Sequence, residues 1–138
     1  MLTLRFTMIA AMLLLLATAC ELEPDKRRAK KACGEPPAAL TAKPKLPAAF
    51  PTPAGVTYTE EKAAGPSMIV TGYLNGQVMS AYDAFTQSLA TNGYSVTKSD
   101  HEGVEGDVNF EGGNSTGSVK LLQECSDRTR VTITVRPA

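Results

Sequence analysis

Residues 78–93, VMSAYDAFTQSLATNG, decide the fold because they carry a helical pattern between segments that otherwise look like strands. Large apolar residues recur there at the i, i+4, i+7 and i+11 spacing that lines one face of an α-helix. Ser80, with Asp83 three residues later, is predicted to cap the helix N-terminus, and Asn92-Gly93 to end the helix in a left-handed cap. The apolar stripe consists of Val78, Tyr82, Phe85 and Leu89.

The segments on both sides of this helix alternate apolar and polar residues, as strands with one buried face do. Turn-forming Gly, Asn and Pro residues separate them and leave links too short for parallel crossovers, so neighbouring strands are expected to pair antiparallel. One helix stripe on one apolar sheet face makes a two-layer α+β sandwich of order ββαββββ. The predicted strands are residues 56–60 and 67–74 before the helix, and 94–98, 104–111, 118–125 and 131–136 after it.

A change in composition near residue 55 divides the chain. Residues 1–19 are predicted to be a signal peptide, residues 20–55 a Pro/Ala/Lys-rich tether, and residues 56–138 the folded domain, because few large apolar side chains precede residue 56 after the signal. Residues 21–55 carry seven basic and four acidic side chains, whereas residues 56–138 carry six and ten. The whole chain balances 14 Lys+Arg against 14 Asp+Glu, so its net charge does not favour nucleic-acid binding.

An apolar stretch, TMIAAMLLLLA, occupies residues 7–17 behind a short segment whose charged side chain is Arg5. Its length suits a signal peptide and falls short of the ~20 residues that span a bilayer as a helix. The stretch leads into LATAC at residues 16–20, which resembles the lipobox of bacterial lipoproteins. The resemblance implies that the sulfur of Cys20 carries diacylglycerol, that the mature chain starts at Cys20, and that the protein is anchored to a cell-envelope membrane outside the cytoplasm.

The cysteine count bears on this assignment. Ordinary signal cleavage after Ala19 is the alternative, and it would leave three thiols in the mature chain. With Cys20 acylated, Cys33 and Cys125 remain as an even pair for a disulfide, and two free thiols are the alternative. A Cys33–Cys125 bond would shorten the free tether to residues 21–32. By the same lipoprotein resemblance, Glu21 after the modified Cys favours the outer membrane if the source has one.

Five cations follow Cys20 within the predicted tether. Anionic headgroups would attract each of them by up to ~1 kcal/mol, which makes the run a candidate membrane contact. A solvated spacer explains the run equally well, because no apolar face accompanies the charge. The five residues are Lys26, Arg27, Arg28, Lys30 and Lys31.

Three short motifs suggest chemistry, and each has a simpler structural explanation. Residues 113–117 spell G-x-S-x-G, but a nucleophile elbow needs a following helix and a later His, whereas here a hairpin loop is predicted. Residues 107–112, DVNFEG, match half of a calcium loop but have Ser118 at the closing position, so a solvated strand face is predicted. His101 is predicted to lie in an exposed turn, with no second His or Cys nearby to complete a metal site.

The sequence contains no convincing nucleophile–base pair, cofactor motif or group of metal ligands. The chain is therefore expected to be a non-enzymatic cell-envelope lipoprotein, without metal or cofactor, whose domain binds an unidentified partner or small ligand. A spacer domain with no specific ligand is the alternative, and a small hydrolase is a third. A contiguous apolar or concave patch on the outer face of the sheet would favour binding, and a uniformly polar face would favour the spacer.

Overall fold

The computed structural model describes residues 31–138 and confirms the order ββαββββ. The predicted signal peptide, Cys20 and all of the basic run except Lys31 lie outside the described residues. Several strands are longer than their alternating patterns, because residues beside the turns also pair with the neighbouring strand. The elements are β1 Thr57–Ala64, β2 Ser67–Asn75, α1 Val78–Thr91, β3 Ser95–Glu102, β4 Glu105–Gly112, β5 Ser115–Cys125 and β6 Arg128–Pro137.

The six strands form one antiparallel sheet in the order β1-β2-β6-β5-β4-β3. The last strand, β6, lies between β2 and β5, so the centre of the sheet is completed only when the end of the chain pairs. Helix α1 leaves β2, crosses one face of β6, β5 and β4, and delivers the chain to the far edge at β3. This is the predicted two-layer α+β sandwich.

The core lies between α1 and the sheet face that the helix covers. Alternate residues of the four inner strands point into it, and they pair across the sheet in register, as Val108 does with Val119 and Val119 with Ile133. From the helix, Phe85 and Leu89 are fully buried, which confirms the inward side of the predicted stripe. Full burial of each such side chain contributes about 1.5–3 kcal/mol of transfer free energy.

The start of α1 differs from the prediction. The helix begins at Val78 with Gln77 as its N-cap residue, so Ser80 is inside the helix and does not cap it. The backbone N–H of Val78 instead donates to Oε1 of Gln123, a residue of β5 that is 1% exposed, over 2.6 Å. The amide nitrogen of Gln123 donates to the carbonyl oxygen of Cys125 over 2.7 Å. A side chain 45 residues away thus satisfies the first of the helix N–H groups that have no partner within the helix.

The end of α1 follows the prediction. Gly93 has a φ of +82°, the left-handed conformation that glycine adopts without a steric penalty. The N–H of Tyr94 then donates to the carbonyl oxygen of Leu89 over 3.1 Å, which is the long hydrogen bond of a Schellman motif. Both Tyr94 and Leu89 are buried in the core, so the cap also directs the chain into β3.

Residues 31–56, here called the arm, include the described part of the predicted tether and contact the sheet. They pack against the sheet instead of extending away from it, and Phe50 belongs to the buried core cluster with Leu46 and Val56 packed against it. The N–H of Leu40 donates to the carbonyl oxygen of Tyr58 over 2.8 Å. The physical reason is that three widely spaced apolar side chains, too few to form a core of their own, find one already built by the sheet.

The buried amide of Gln123 yields a test of the fold. Gln123→Ala should lower the free energy of unfolding by about 2–4 kcal/mol, because it removes a cap and leaves buried backbone groups without partners. Urea unfolding should show a lower midpoint with an unchanged slope. The matched control is Gln87→Ala, at an exposed position of α1, which should stay within about 0.5 kcal/mol of wild type. Equal stability of the two variants would refute the capping role.

Candidate functional site

A concave groove of about 640 Å³ lies between the arm and the beginning of β1. This volume falls within the ~300–1,000 Å³ typical of small-molecule sites. Its lining is largely aliphatic, since it comes from the alanines and prolines of residues 39–49 together with a few larger side chains. The larger apolar contributors are Leu40, Leu46, Phe50 and Val56.

Hydrogen bonds to β1 hold the walls of the groove in place. The N–H of Lys45 donates to a carboxylate oxygen of Glu61 over 2.6 Å, and the Lys45 ammonium lies 4.0 Å from the other oxygen. The arm then turns sharply at Ala49, whose φ is +62°, and the N–H of Phe50 donates to the carbonyl oxygen of Pro47 over 3.0 Å. These bonds fix a Pro/Ala-rich segment whose composition alone favours an extended chain.

Phe50 anchors the arm on the core. Its ring lies 5.8 Å from that of Tyr94 in an edge-on arrangement and 5.5 Å from that of Phe110. Tyr94 and Phe110 are themselves edge-on at 5.6 Å, so the three rings form one aromatic cluster. Each favourable aromatic pair contributes about 0.5–1.5 kcal/mol beyond the area it buries. The groove is therefore attached to the buried core of the domain.

One pair of hydroxyl groups supplies polarity in the groove. Oγ1 of Thr52 lies 2.8 Å from the hydroxyl oxygen of Tyr58, and both residues line the cavity. Burial raises the pKa of the Tyr58 phenol above its ordinary value of 10.0, and the hydrogen bond with Thr52 partly offsets that rise. The pair offers a ligand a hydrogen-bonding point beside the aliphatic walls, and Thr41, Lys43 and Thr57 add further polar groups to the lining.

The structure contains the Cys33–Cys125 disulfide that the cysteine count had suggested. Cys33 and Cys125 are bonded, with Cα atoms 5.1 Å apart, and the bond ties the beginning of the arm to the end of β5. Neighbouring contacts support the same position: the N–H of Ser126 donates to the carbonyl oxygen of Lys31 over 2.7 Å, and the Arg128 guanidinium donates to the carbonyl oxygen of Gly34 over 3.1 Å.

The structure accounts for the first two motifs without chemistry. Residues 113–117 form the β4–β5 hairpin turn and the start of β5, and the Ser115 hydroxyl donates to the carbonyl oxygen of Gly113. Residues 107–112 lie in β4, where Val108 and Phe110 are buried and the acids between them face outward, as predicted for a solvated strand. Among residues 31–138, no three His, Cys, Asp or Glu side chains are grouped so as to hold a metal ion.

The prediction that His101 lies in an exposed turn is wrong. It lies within β3 and not in a turn, because β3 continues to Glu102 and the chain reverses one residue later. The His101 ring is half-buried 5.6 Å from the ring of Tyr82, the one residue of the helix stripe that is only partly buried. Nε2 of His101 is buried without a hydrogen-bond partner among the described residues.

Sequence reasoning missed the groove because the composition of the arm indicated a tether. The available signal was the presence of Leu40, Leu46 and Phe50, three large apolar side chains that a segment contacting only water does not need. Recognising it would have required knowing that an uncovered sheet face lies next to these residues.

Comparisons with known proteins identify no relative. No protein-family model, curated protein or solved structure matches the chain. Within residues 31–138, α1 falls short of the length and apolarity that a membrane-crossing helix requires.

Tyr58 gives a prediction about alkaline stability. Because its folded-state pKa lies above the unfolded value, its contribution to stability is complete below about pH 10 and is lost as the pH rises through the folded pKa. Tyr58→Phe should therefore flatten the loss of unfolding free energy between about pH 9 and 11, while costing about 0.5–1.5 kcal/mol at pH 7 through the lost hydrogen bond. Urea titrations at each pH measure both effects. Tyr73→Phe controls for removing a phenol elsewhere, and parallel pH curves for Tyr58→Phe and wild type would contradict the prediction.

Proposed function

We propose that this chain is a lipid-anchored protein of the cell envelope whose domain holds a small, largely apolar ligand in the arm groove. The observation that carries the proposal is the groove itself, a ligand-sized cavity that combines aliphatic side chains with a hydroxyl pair and a few other polar groups. Aliphatic lining with a few placed polar groups is the usual composition of a small-molecule site. The contacts of Lys45 with Glu61 and the aromatic cluster around Phe50 hold the walls of the groove, so its shape rests on contacts within the chain.

The disulfide supports the proposed location. Structural disulfides persist in oxidising compartments and are rare where thiols are kept reduced. The Cys33–Cys125 bond closes a loop with a sequence separation of 92 residues, and such a loop adds up to about 4–5 kcal/mol in the chain-entropy model. A domain of this size benefits from such a staple, because its core is small.

The bond also fixes how far the domain extends from its proposed anchor. If Cys20 bears the lipid, residues 21–32 are the free tether, and at ~3.1–3.5 Å per residue they extend about 40 Å at most. The basic residues Lys26, Arg27, Arg28, Lys30 and Lys31 fall within this short segment, next to the proposed headgroup contact. The acidic domain would then lie just above the basic run of the tether.

A spacer role is the second candidate, and the outer face of the sheet favours it. Thr, Ser, Lys and acidic side chains dominate that face, and among residues 31–138 the exposed large hydrophobic side chain is Met79 of α1. Strands β1 to β6 carry no exposed large hydrophobic side chain on the outer face, which argues against an apolar docking site there. The two candidates differ in what they require of the groove: the spacer needs no occupant.

Lipidation is tested on the mature protein. Intact-mass measurement should show a chain that starts at Cys20 and carries diacylglycerol, and wild type should partition into membranes. Cys20→Ser should move the protein into the soluble fraction, because two acyl chains are needed for stable anchoring. An unmodified wild-type protein that is freely soluble would exclude the anchor.

Ligand binding is tested with 11-(dansylamino)undecanoic acid, a probe with an aliphatic chain and a polar end. Its fluorescence should rise on binding, and Ala48→Trp, which adds an indole to the wall of the groove, should weaken binding at least about tenfold. Ala90→Trp, at an exposed position of α1, is the matched control and should leave affinity within about twofold of wild type. If wild type does not bind the probe, or both variants bind it equally, the groove is not an apolar ligand site and the spacer role is favoured.

A further inference from the structure

On the sheet face opposite α1, here called the open face, the four strands from β3 to β6 divide into two halves of opposite charge. Outward-facing positions of β3 and β4 form an acidic half, and those of β5 and β6 form a basic half; the outward side follows from the register, which buries the alternate residues. The acidic half contains Asp100, Glu102, Glu105, Asp107 and Glu111 with one cation, Lys98. The basic half contains Lys120, Arg130 and Arg136, besides the Arg128–Glu124 pair.

This arrangement leaves charges poorly matched within one copy. Glu102 lies directly across from Glu105, and Asp100 directly across from Asp107, in the β3–β4 register. Like charges at directly opposed positions destabilise an antiparallel pair. Among residues 31–138, the ion pair that joins the two halves is that of Lys120 with Asp107, at 3.8 Å.

The exposed arginines of the basic half are also left without acidic partners. Arg130 is exposed and has no ion pair among the described residues. Arg136 likewise has none there, and its Nε donates to the hydroxyl of Thr116. Each two-strand half of the open face thus presents charge that the other half neutralises incompletely.

We propose that the open face is a self-complementary surface on which a second copy of this chain docks. A two-fold axis parallel to the strands and passing between β4 and β5 would lay β3 of one copy over β6 of the other, and β4 over β5. Rotation about that axis keeps the height of each residue along the strands. Glu102 then faces Arg130 of the second copy, and Asp107 faces Lys120 of the second copy, since each pair shares one cross-strand row. The two-fold repeats both pairs.

The same axis is compatible with the place where the tether leaves the domain. Cys33 is bonded at the β5 end that adjoins the β5–β6 turn, so the tether leaves from that end of the sheet. A two-fold parallel to the strands keeps this end on the same side in both copies, whereas a two-fold perpendicular to the strands in the sheet plane would place the exits at opposite ends. The first arrangement places both exits next to one membrane, a point that rests on the proposed lipid anchor.

The size of the surface sets the strength of the dimer. Four strands spaced ~4.8 Å apart, each contributing about seven residues of ~3.3 Å, give a footprint of about 440 Å² per copy. This is at the small end of specific interfaces, and the contacts are mainly charged. We therefore expect a dissociation constant on the order of 100 µM in solution at low salt, and a larger dimer fraction where a lipid anchor raises the effective concentration.

Sedimentation equilibrium tests the dimer on the chain from residue 20 onward with Cys20→Ser, which contains every described residue and does not depend on acylation. At up to about 500 µM protein and about 20 mM salt, the average mass should rise toward that of a dimer, and about 500 mM salt should return it to the monomer by screening. Arg130→Glu and Glu102→Arg should each weaken dimerisation at least about fivefold. Lys62→Glu, an equivalent charge reversal on the open face of β1 outside the interface, should change it less than twofold.

The double variant Glu102→Arg, Arg130→Glu is decisive. These residues lie three strands apart in one copy, about 14 Å, so a contact within the chain does not link them. Restoration of the wild-type dissociation constant by the double variant supports contact between copies. A protein that stays monomeric at low salt, or a dimer that the reversals leave unchanged, overturns the inference while leaving the lipid anchor and the groove untouched.

Discussion

Two contacts at the end of β5 determine where the helix and the arm lie on the sheet. Gln123 accepts the first helical N–H of α1 and thereby fixes where the helix starts over the sheet. Two residues later, Cys125 holds Cys33 and fixes where the arm starts. Both are buried, so moving this strand end would displace the helix and the arm together. A buried amide with all its groups paired resists such movement, because each broken bond leaves a desolvated group behind.

The arm and the helix together form the second layer of the sandwich. The helix covers the part of the sheet toward β3, and the aromatic contacts of Phe50 with Tyr94 and Phe110 join the arm to it. The groove lies where this joined layer meets β1, and it stays open because alanine and proline line its walls in place of side chains long enough to fill it. The path of the arm thus determines both part of the core packing and the candidate ligand site.

The two faces of the sheet follow opposite physical rules. The covered face is apolar and its residues match across the strands by shape, as the row Val108, Val119 and Ile133 shows. The open face is polar and its residues are sorted by charge, with acids toward β3 and cations toward β6. A solvated strand needs only polarity on its outer side, so this sorting is a feature that the monomer fold does not demand, and the docking of a second copy gives it a physical use.

The sequence by itself determined the element order, the apolar stripe of α1 and the left-handed cap at Gly93, because these depend on spacing and on backbone preferences within a few residues. It also determined that Cys33 and Cys125 were available as a pair. Only the tertiary structure decided that Gln123 caps the helix, that His101 belongs to a strand, and that the arm packs on the sheet. Each of those outcomes depends on a partner many residues away, and the free energy gained by burial there outweighs the local preference of the segment.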